Sequence, residues 1–231
     1  MAAFGRPSRG SVDRRDDLPD GLEERLRFFD EIGADFVLAG TSGGASRRLE
    51  AIAAEVTNCR KCPLAAGRTK AVPGEGNPEA EVMFVGEGPG HEEDVQGRPF
   101  VGRAGQLLTR IIEAMGFTRP SVFIANIVKC RPPDNRVPRP AEAEACTPYL
   151  LEQIAVIRPK VIVTLGKTAT DFFAPSDRGM TERRGRFEDW RGLPVMPTFH
   201  PSYLVRNEGN KELKRMVWED MKQVMAKLGR T

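Results

Sequence analysis

Four short apolar runs punctuate the chain, at 81–87, 121–128 ("SVFIANIV"), 160–166 ("KVIVTLG") and 194–200 ("PVMPTFH"). Each is apolar at successive positions rather than alternating, as in a strand covered on both faces. Between and after them, apolar residues recur at helical spacing over 103–115, 140–157, 167–173 and about 210–228. A further helix is expected from about 46, in "RRLEAIAAEV". Strands alternating with helices predict a parallel sheet with helices on both sides. The expected fold is α/β, a three-layer α/β/α sandwich around a short, mainly parallel four-stranded sheet. Residues 1–45 are rich in Arg, Asp, Gly and Ser around one amphipathic stretch, "LEERLRFFDEIGADFVLA". They read as an extension, partly disordered or forming one helix, ahead of a domain spanning 46–231.

Composition narrows this picture slightly. With 231 residues and 40% hydrophobic content, the chain can bury one good core. No window approaches the roughly 18 continuous apolar residues of a membrane span, and no signal-peptide core opens the chain, so a soluble intracellular protein is expected. Net charge is only +3, but arginine concentrates in "RPPDNRVPRP" (131–140) and "ERRGRFEDWRG" (182–192). Such loops suit a polyanionic partner, because phosphate contacts come mostly from Arg and Lys.

The richest stretch is "GEGPGHEEDVQGRPFVGRAGQLL", 86–108, which follows the first apolar run. It is not a dinucleotide fingerprint: His91 stands where a glycine is required and Pro89 lacks an N–H for a pyrophosphate. Nor is it a Walker A loop, since Arg103 and Ala104 replace the lysine and the hydroxyl that follow Gly97 and Gly102. "LGKT" at 165–168 fails as well, with Val161 at the first glycine position. In parallel sheets, ligands bind beyond the carboxyl ends of the strands. Glu87 after the first strand, Asn126 in the second and His200 after the fourth would face one such crevice.

Four cysteines, Cys59, Cys62, Cys130 and Cys146, form a C-x2-C pair with two distant partners. In a reducing compartment this pattern points to metal rather than to disulfides. Zinc and an iron-sulfur cluster both remain open on spacing alone.

Together, the 86–108 loop, "ANIVKCRPP", "HPSYL" and the order and spacing of the cysteines resemble the family 4 uracil-DNA glycosylases, the iron-sulfur branch of their superfamily, over about residues 50–228. The resemblance implies a hydrolase that flips uracil out of single- or double-stranded DNA, cleaves its N-glycosidic bond and leaves an abasic site for base-excision repair, acting as a monomer. It implies a 4Fe-4S cluster on Cys59, Cys62, Cys130 and Cys146. Uracil would lie among Glu87, Gly88, Pro89, Phe100, Asn126 and His200. Phe100 would stack on it, Asn126 would read its edge, and His200 would hold the departing anion. Glu87 or Asp94 would position the attacking water, because Gly88 stands where many members of the superfamily carry a dedicated aspartate. Arg131, Arg136, Arg139, Tyr203, Leu204 and Arg206 would meet DNA, one of the last three filling the gap left by the base. Two alternatives are a uracil-DNA-binding protein of the same superfamily that crosslinks to its product and a non-catalytic iron-sulfur DNA-binding module. The first carries a histidine-bearing insertion, whereas "CRPPDNRVPRP" has no histidine.

Overall fold

In the computed structural model, residues 42–230 are described. The expectations for residues 1–41 lie outside the described residues. Helix α1 (Ser42–Asn58) begins four residues before the expected start, and the short α2 (Leu64–Gly67) follows the C-x2-C turn. The strands are β1 (Glu75–Gly76), β2 (Val82–Gly86), β3 (Phe123–Asn126), β4 (Val161–Leu165), β5 (Glu188–Trp190) and β6 (Leu193–Thr198). Connecting helices are α3 (His91–Gln96), α4 (Arg103–Ala114), α5 (Pro140–Ile157), α6 (Lys167–Phe173), α7 (Met180–Arg183), α8 (Pro201–Arg206) and α9 (Lys211–Lys227).

The sheet has six strands in the order β1-β3-β2-β4-β6-β5, two more than the four expected. The inner four, β3-β2-β4-β6, are parallel and correspond to the four apolar runs. The additional strands, β1 and β5, are antiparallel edges of two and three residues. Both are very short and partly exposed, with a single apolar side chain between them (Trp190), so neither leaves a continuous apolar run in the sequence.

Burial on both faces explains why the inner strands are apolar throughout. Val82 and Phe84 of β2 pack with Leu108 and Ile112 of α4 and with Met221 and Val224 of α9. Met83 and Val85 point the opposite way, towards Ile52 and Val56 of α1 and Leu150 and Ile154 of α5. These two cores make the three layers. No helix among the described residues is long and apolar enough to cross a membrane.

The chain leaves β2 towards β3 on one side and later leaves β4 towards β6 on the other. The loops after β2 and β4 therefore diverge, and a crevice opens between the carboxyl ends of these adjacent strands.

Candidate active site

A cleft of about 800 Å³ occupies this switch point. Glu87, Gly88, Pro89, Phe100, Asn126 and His200 all line it. Four of its walls are loops that leave β2, β3, β4 and β6 at the same end of the sheet.

Asn126 closes β3, is 1% exposed, and has a buried Oδ1 with no hydrogen-bond partner. An orphaned buried acceptor costs about 1–3 kcal/mol, so a donor entering the cleft would be favoured there. Gly86 makes the arrangement possible. A Cβ at this position would lie 2.5 Å from Asn126 Oδ1 and 2.5 Å from Phe100 Cζ, so a side chain would displace both groups from the cleft.

Phe100 is buried with its backbone in the left-handed region, at φ 51°. Arg119 holds that conformation: one guanidinium nitrogen donates to the Phe100 carbonyl at 2.9 Å, and another to the Pro99 carbonyl at 2.7 Å. Glu75 on β1 accepts from the same guanidinium at 2.6 Å. Although burial would raise the Glu75 carboxyl, hydrogen bonds from Arg98 and Arg119 hold it below the usual carboxylate range. Gly105 lets α4 run against this turn, since a Cβ there would meet the Phe100 carbonyl at 1.9 Å. The Phe100 ring lies 5.7 Å from that of His200, centroid to centroid, at 35°.

His200 precedes α8 as its N-cap. The backbone N–H of Ser202 donates to His200 Nδ1 at 3.1 Å, and the Ser202 hydroxyl lies 2.7 Å from the same nitrogen. An N–H donor requires a lone pair, so Nδ1 is unprotonated and the neutral ring carries its proton on Nε2. Burial pushes the ring's pKa down to about 4 from 6.5; Arg206 adds to the shift and Glu93 opposes it. Between these values the unfolded chain takes up a proton that the folded chain refuses, so this group's effect lowers stability as pH falls from about 6.5 to 4. His91 and His200 are the chain's two histidines, which makes the ring state measurable. In ¹⁵N NMR with His91→Ala for assignment, His200 is expected to stay neutral and Nε2-protonated at pH 6, titrating well below 6.5. A midpoint near 6.5 would contradict this ring state.

Glu87 lines the cleft and accepts a hydrogen bond from the Thr168 hydroxyl through one carboxylate oxygen. Thr168 belongs to the "LGKT" segment that failed as a phosphate loop, and Leu165 to Thr168 form the wall after β4. Position was the available signal, since the segment follows β4 at the level where Glu87 follows β2. Lys167 in the same wall is paired with Asp171 at 2.8 Å.

Several expected contacts are placed elsewhere. Asp94 is buried away from the cleft lining, and both its carboxylate oxygens accept from the Thr69 N–H, at 2.9 and 3.1 Å. Its neighbour Glu93 reaches the cleft, but one oxygen caps the N–H groups of Val101 and Gly102 at 2.8 and 2.9 Å. Leu204 is 2% exposed beneath Phe199 and Val217, so it does not reach the surface as a wedge would. Tyr203, beside it, is 41% exposed. Arg136 lines the cleft while its guanidinium makes two bonds to Glu142, at 2.7 and 2.8 Å, which commits its charge within the protein. Arg131 bonds Asn135 at 2.8 Å and lies 3.2 Å from His91 Nδ1. Arg139 and Arg206 are exposed, the latter on the cleft lining. Val137, unremarked in the sequence, is 60% exposed on the cleft rim.

None of the four cysteines lines the cleft. All four are free thiols and pack against the same core, Cys130 and Cys146 buried, Cys59 and Cys62 half-buried. Burial pushes Cys146 up to about 11, with the Lys129 ammonium and backbone N–H pulling the other way. Burial likewise raises Cys130, against an Arg68 hydrogen bond at 3.0 Å. Among the described residues, no group of three or more His, Cys, Asp or Glu side chains closes on a point fit for a single metal ion.

A model of the uracil DNA glycosylase superfamily matches residues 73–222, which includes all four parallel strands and every cleft wall. A type-4 uracil-DNA glycosylase of Thermotoga maritima is 52% identical over 177 residues, 76% of this chain and 92% of the relative. One from Archaeoglobus fulgidus is 52% identical over 181 residues, 73% of this chain and 91% of the relative. Another, from Sulfurisphaera tokodaii, is 48% identical over 185 residues, 76% and 83% respectively. With such relatives aligned along nearly their whole length, and with the superfamily match spanning most of the described fold, the chain belongs to the type-4 branch of the uracil DNA glycosylase superfamily.

Proposed function

We propose that the chain is a monofunctional uracil-DNA glycosylase that takes uracil into the cleft from DNA and hydrolyses its N-glycosidic bond. One observation carries this reading: the buried, unpartnered carboxamide oxygen of Asn126 close to the ring of Phe100 in the cleft. A flipped base stacks on an aromatic face and is read along its Watson–Crick edge. Uracil supplies an N3–H donor to Oδ1 and an O4 acceptor to Nδ2. Cytosine presents a bare N3 and an amino group, which would set acceptor against acceptor and donor against donor.

Bond cleavage builds negative charge on the departing base and positive charge on the sugar. The Nε2–H of His200 is the donor for O2 of the leaving uracil, and its bond strengthens as charge develops. Glu87 is the carboxylate that positions water, one oxygen held by Thr168 and the other free for the nucleophile. Asp94 instead fixes the start of the preceding loop through Thr69. At the rim, Arg139 and Arg206 serve the phosphate backbone, and Tyr203 fills the space the base vacates.

The cysteine group fits a 4Fe-4S cluster. Its thiols come from the turn after α1, from Cys130 just before the arginine-rich loop and from Cys146 on α5, which follows that loop. N–H donors meet the sulfurs from Arg68 and from the backbone of Lys129, at 3.0 and 3.2 Å. Cluster thiolates sit on separate irons, so they need not converge as ligands of a single ion do. Bound there, the cluster ties the Cys59–Cys62 turn to the segment carrying Asn126 and the DNA-facing loop. Purified protein is expected to be brown, with about four irons and four sulfides per chain. Cys130→Ala or Cys146→Ala is expected to reduce the yield of folded protein more than the rate of what folds. Stoichiometric zinc without sulfide would refute the assignment.

Incubation with a uracil-containing single-stranded oligonucleotide, followed by alkali, tests the activity. Cleavage at the uracil position is expected. A shifted band on a denaturing gel would identify a crosslinking protein, and an intact strand a binding module.

A further inference from the structure

Lys129 is fully buried, at 1% exposure, three residues beyond Asn126 and directly before Cys130. Its Nζ donates to the backbone carbonyl of Asn126 at 3.0 Å and to Gln153 Oε1 on α5 at 2.8 Å. Gln153 is itself oriented, its Nε2 donating to the Pro73 carbonyl at 2.7 Å. The Lys129 backbone is also committed: its N–H donates to Cys146 Sγ at 3.2 Å, and its carbonyl accepts from the Val72 N–H at 2.8 Å. The ionisable group beside the ammonium is the Cys146 thiol rather than a carboxylate.

Burying an ammonium is costly unless its hydrogen bonds are well made, and an apolar residue of similar length would fill the same space without that cost. Packing alone therefore does not account for lysine here. The ammonium acts on the carbonyl side of the peptide that follows the unpartnered carboxamide, whose other side is held by the Ile127 N–H donating to the Gly86 carbonyl at 2.9 Å. Without the Lys129 donor that peptide keeps only its Ile127 N–H bond to β2, so it can tilt about that bond and shift the Asn126 side chain relative to the Phe100 ring.

We propose that Lys129 is a positioning residue for base reading, its buried ammonium pinning the Asn126 peptide against Gln153 so that the carboxamide meets the Watson–Crick edge of the base. The proposal rests on Asn126 as the reader of uracil. It extends that reading to a residue that does not line the cleft and touches no substrate.

The test compares Lys129→Met, which keeps length but removes the donor, with Lys129→Gln, which retains a shorter neutral donor. Three quantities are read: single-turnover excision, inhibition by free uracil, and binding of undamaged DNA. Lys129→Met is expected to lose about 10- to 100-fold in both excision and free-uracil affinity, the span for loss of a charge-assisted hydrogen bond. Undamaged-DNA affinity and the visible spectrum are expected to change by less than about twofold, and Lys129→Gln should recover part of the loss. Wild-type excision and uracil affinity in Lys129→Met would overturn the proposal. So would a parallel loss of undamaged-DNA binding in both variants, which marks a merely structural lysine. If Lys129→Met does not fold, Gln153→Leu frees the ammonium from one acceptor while leaving Lys129 and Asn126 in place. It should weaken free-uracil inhibition in the same direction, and no change would count against the proposal. Full uracil activity in Asn126→Asp would instead remove the reader on which the proposal rests. An impaired Asn126→Asp beside a normal Lys129→Met would defeat the positioning role alone.

Discussion

Replacing His200 by alanine is expected to slow single-turnover excision of uracil by about 10²–10³-fold, the usual cost of losing one oxyanion-type donor. The ring is neutral with its proton on Nε2, because Nδ1 accepts from the Ser202 N–H and burial resists a second proton. A neutral donor makes an ordinary hydrogen bond to O2 of bound uracil and a much stronger one to the departing anion. The loss therefore falls on the transition state, and affinity for uracil-DNA should change by less than about tenfold. Equal losses in affinity and rate would make His200 a uniform binding contact. Unchanged kinetics would leave it as a helix cap packed beside Phe100. Ser202→Ala offers an internal comparison: the backbone N–H still fixes the tautomer, so only a small loss is expected.

Asn126→Asp is expected to reduce uracil excision by about 10- to 1000-fold. The carboxamide is sealed at the end of β3 with Oδ1 unpartnered, so the cleft is built to receive one donor and to offer one. An ionised Asp repels O4 and loses the donor, and at this depth it also carries a desolvation cost. A protonated Asp could accept from the cytosine amino group and donate to N3, so weak cytosine excision at low pH is the accompanying expectation. Single-turnover assays on matched uracil and cytosine oligonucleotides across pH separate the two effects. Full uracil activity in the variant would remove Asn126 as the reader of the base.

Much of the architecture was legible along the chain. The four apolar runs became the four parallel strands, because a strand covered on both faces must be apolar at every position. The helices at 103–115, 140–157, 167–173 and 210–228 appear within a residue or so of their expected bounds. Strand ends were equally readable: once the sheet is parallel, Glu87, Asn126 and His200 must emerge on one side. The edge strands were not, since two or three partly exposed residues are too few to leave a periodic signature. Helix α3 was hidden because "HEEDVQ" is polar apart from Val95, itself exposed at 45%.

The alternation of polar and apolar residues, the glycines at 86 and 105 and the spacing of the cysteines determined the layers, the end of the sheet that carries the cleft, and the side chains available there. The tertiary structure decided which of those side chains meet. Thr168 reaches Glu87 across 81 residues of sequence, and Arg119 reaches Glu75 across 44 to hold the Phe100 turn. Asp94 and Leu204, equally plausible by position, turn into the protein, and Arg136 spends its charge on Glu142. The proton on His200 depends on an N–H two residues away, and the Lys129 ammonium on a glutamine of α5. Local pattern records which face of an element is buried, because periodicity is a property of the element alone. The direction of a polar side chain depends on the partner that satisfies it, and a partner brought in by the fold leaves no mark on the neighbouring sequence.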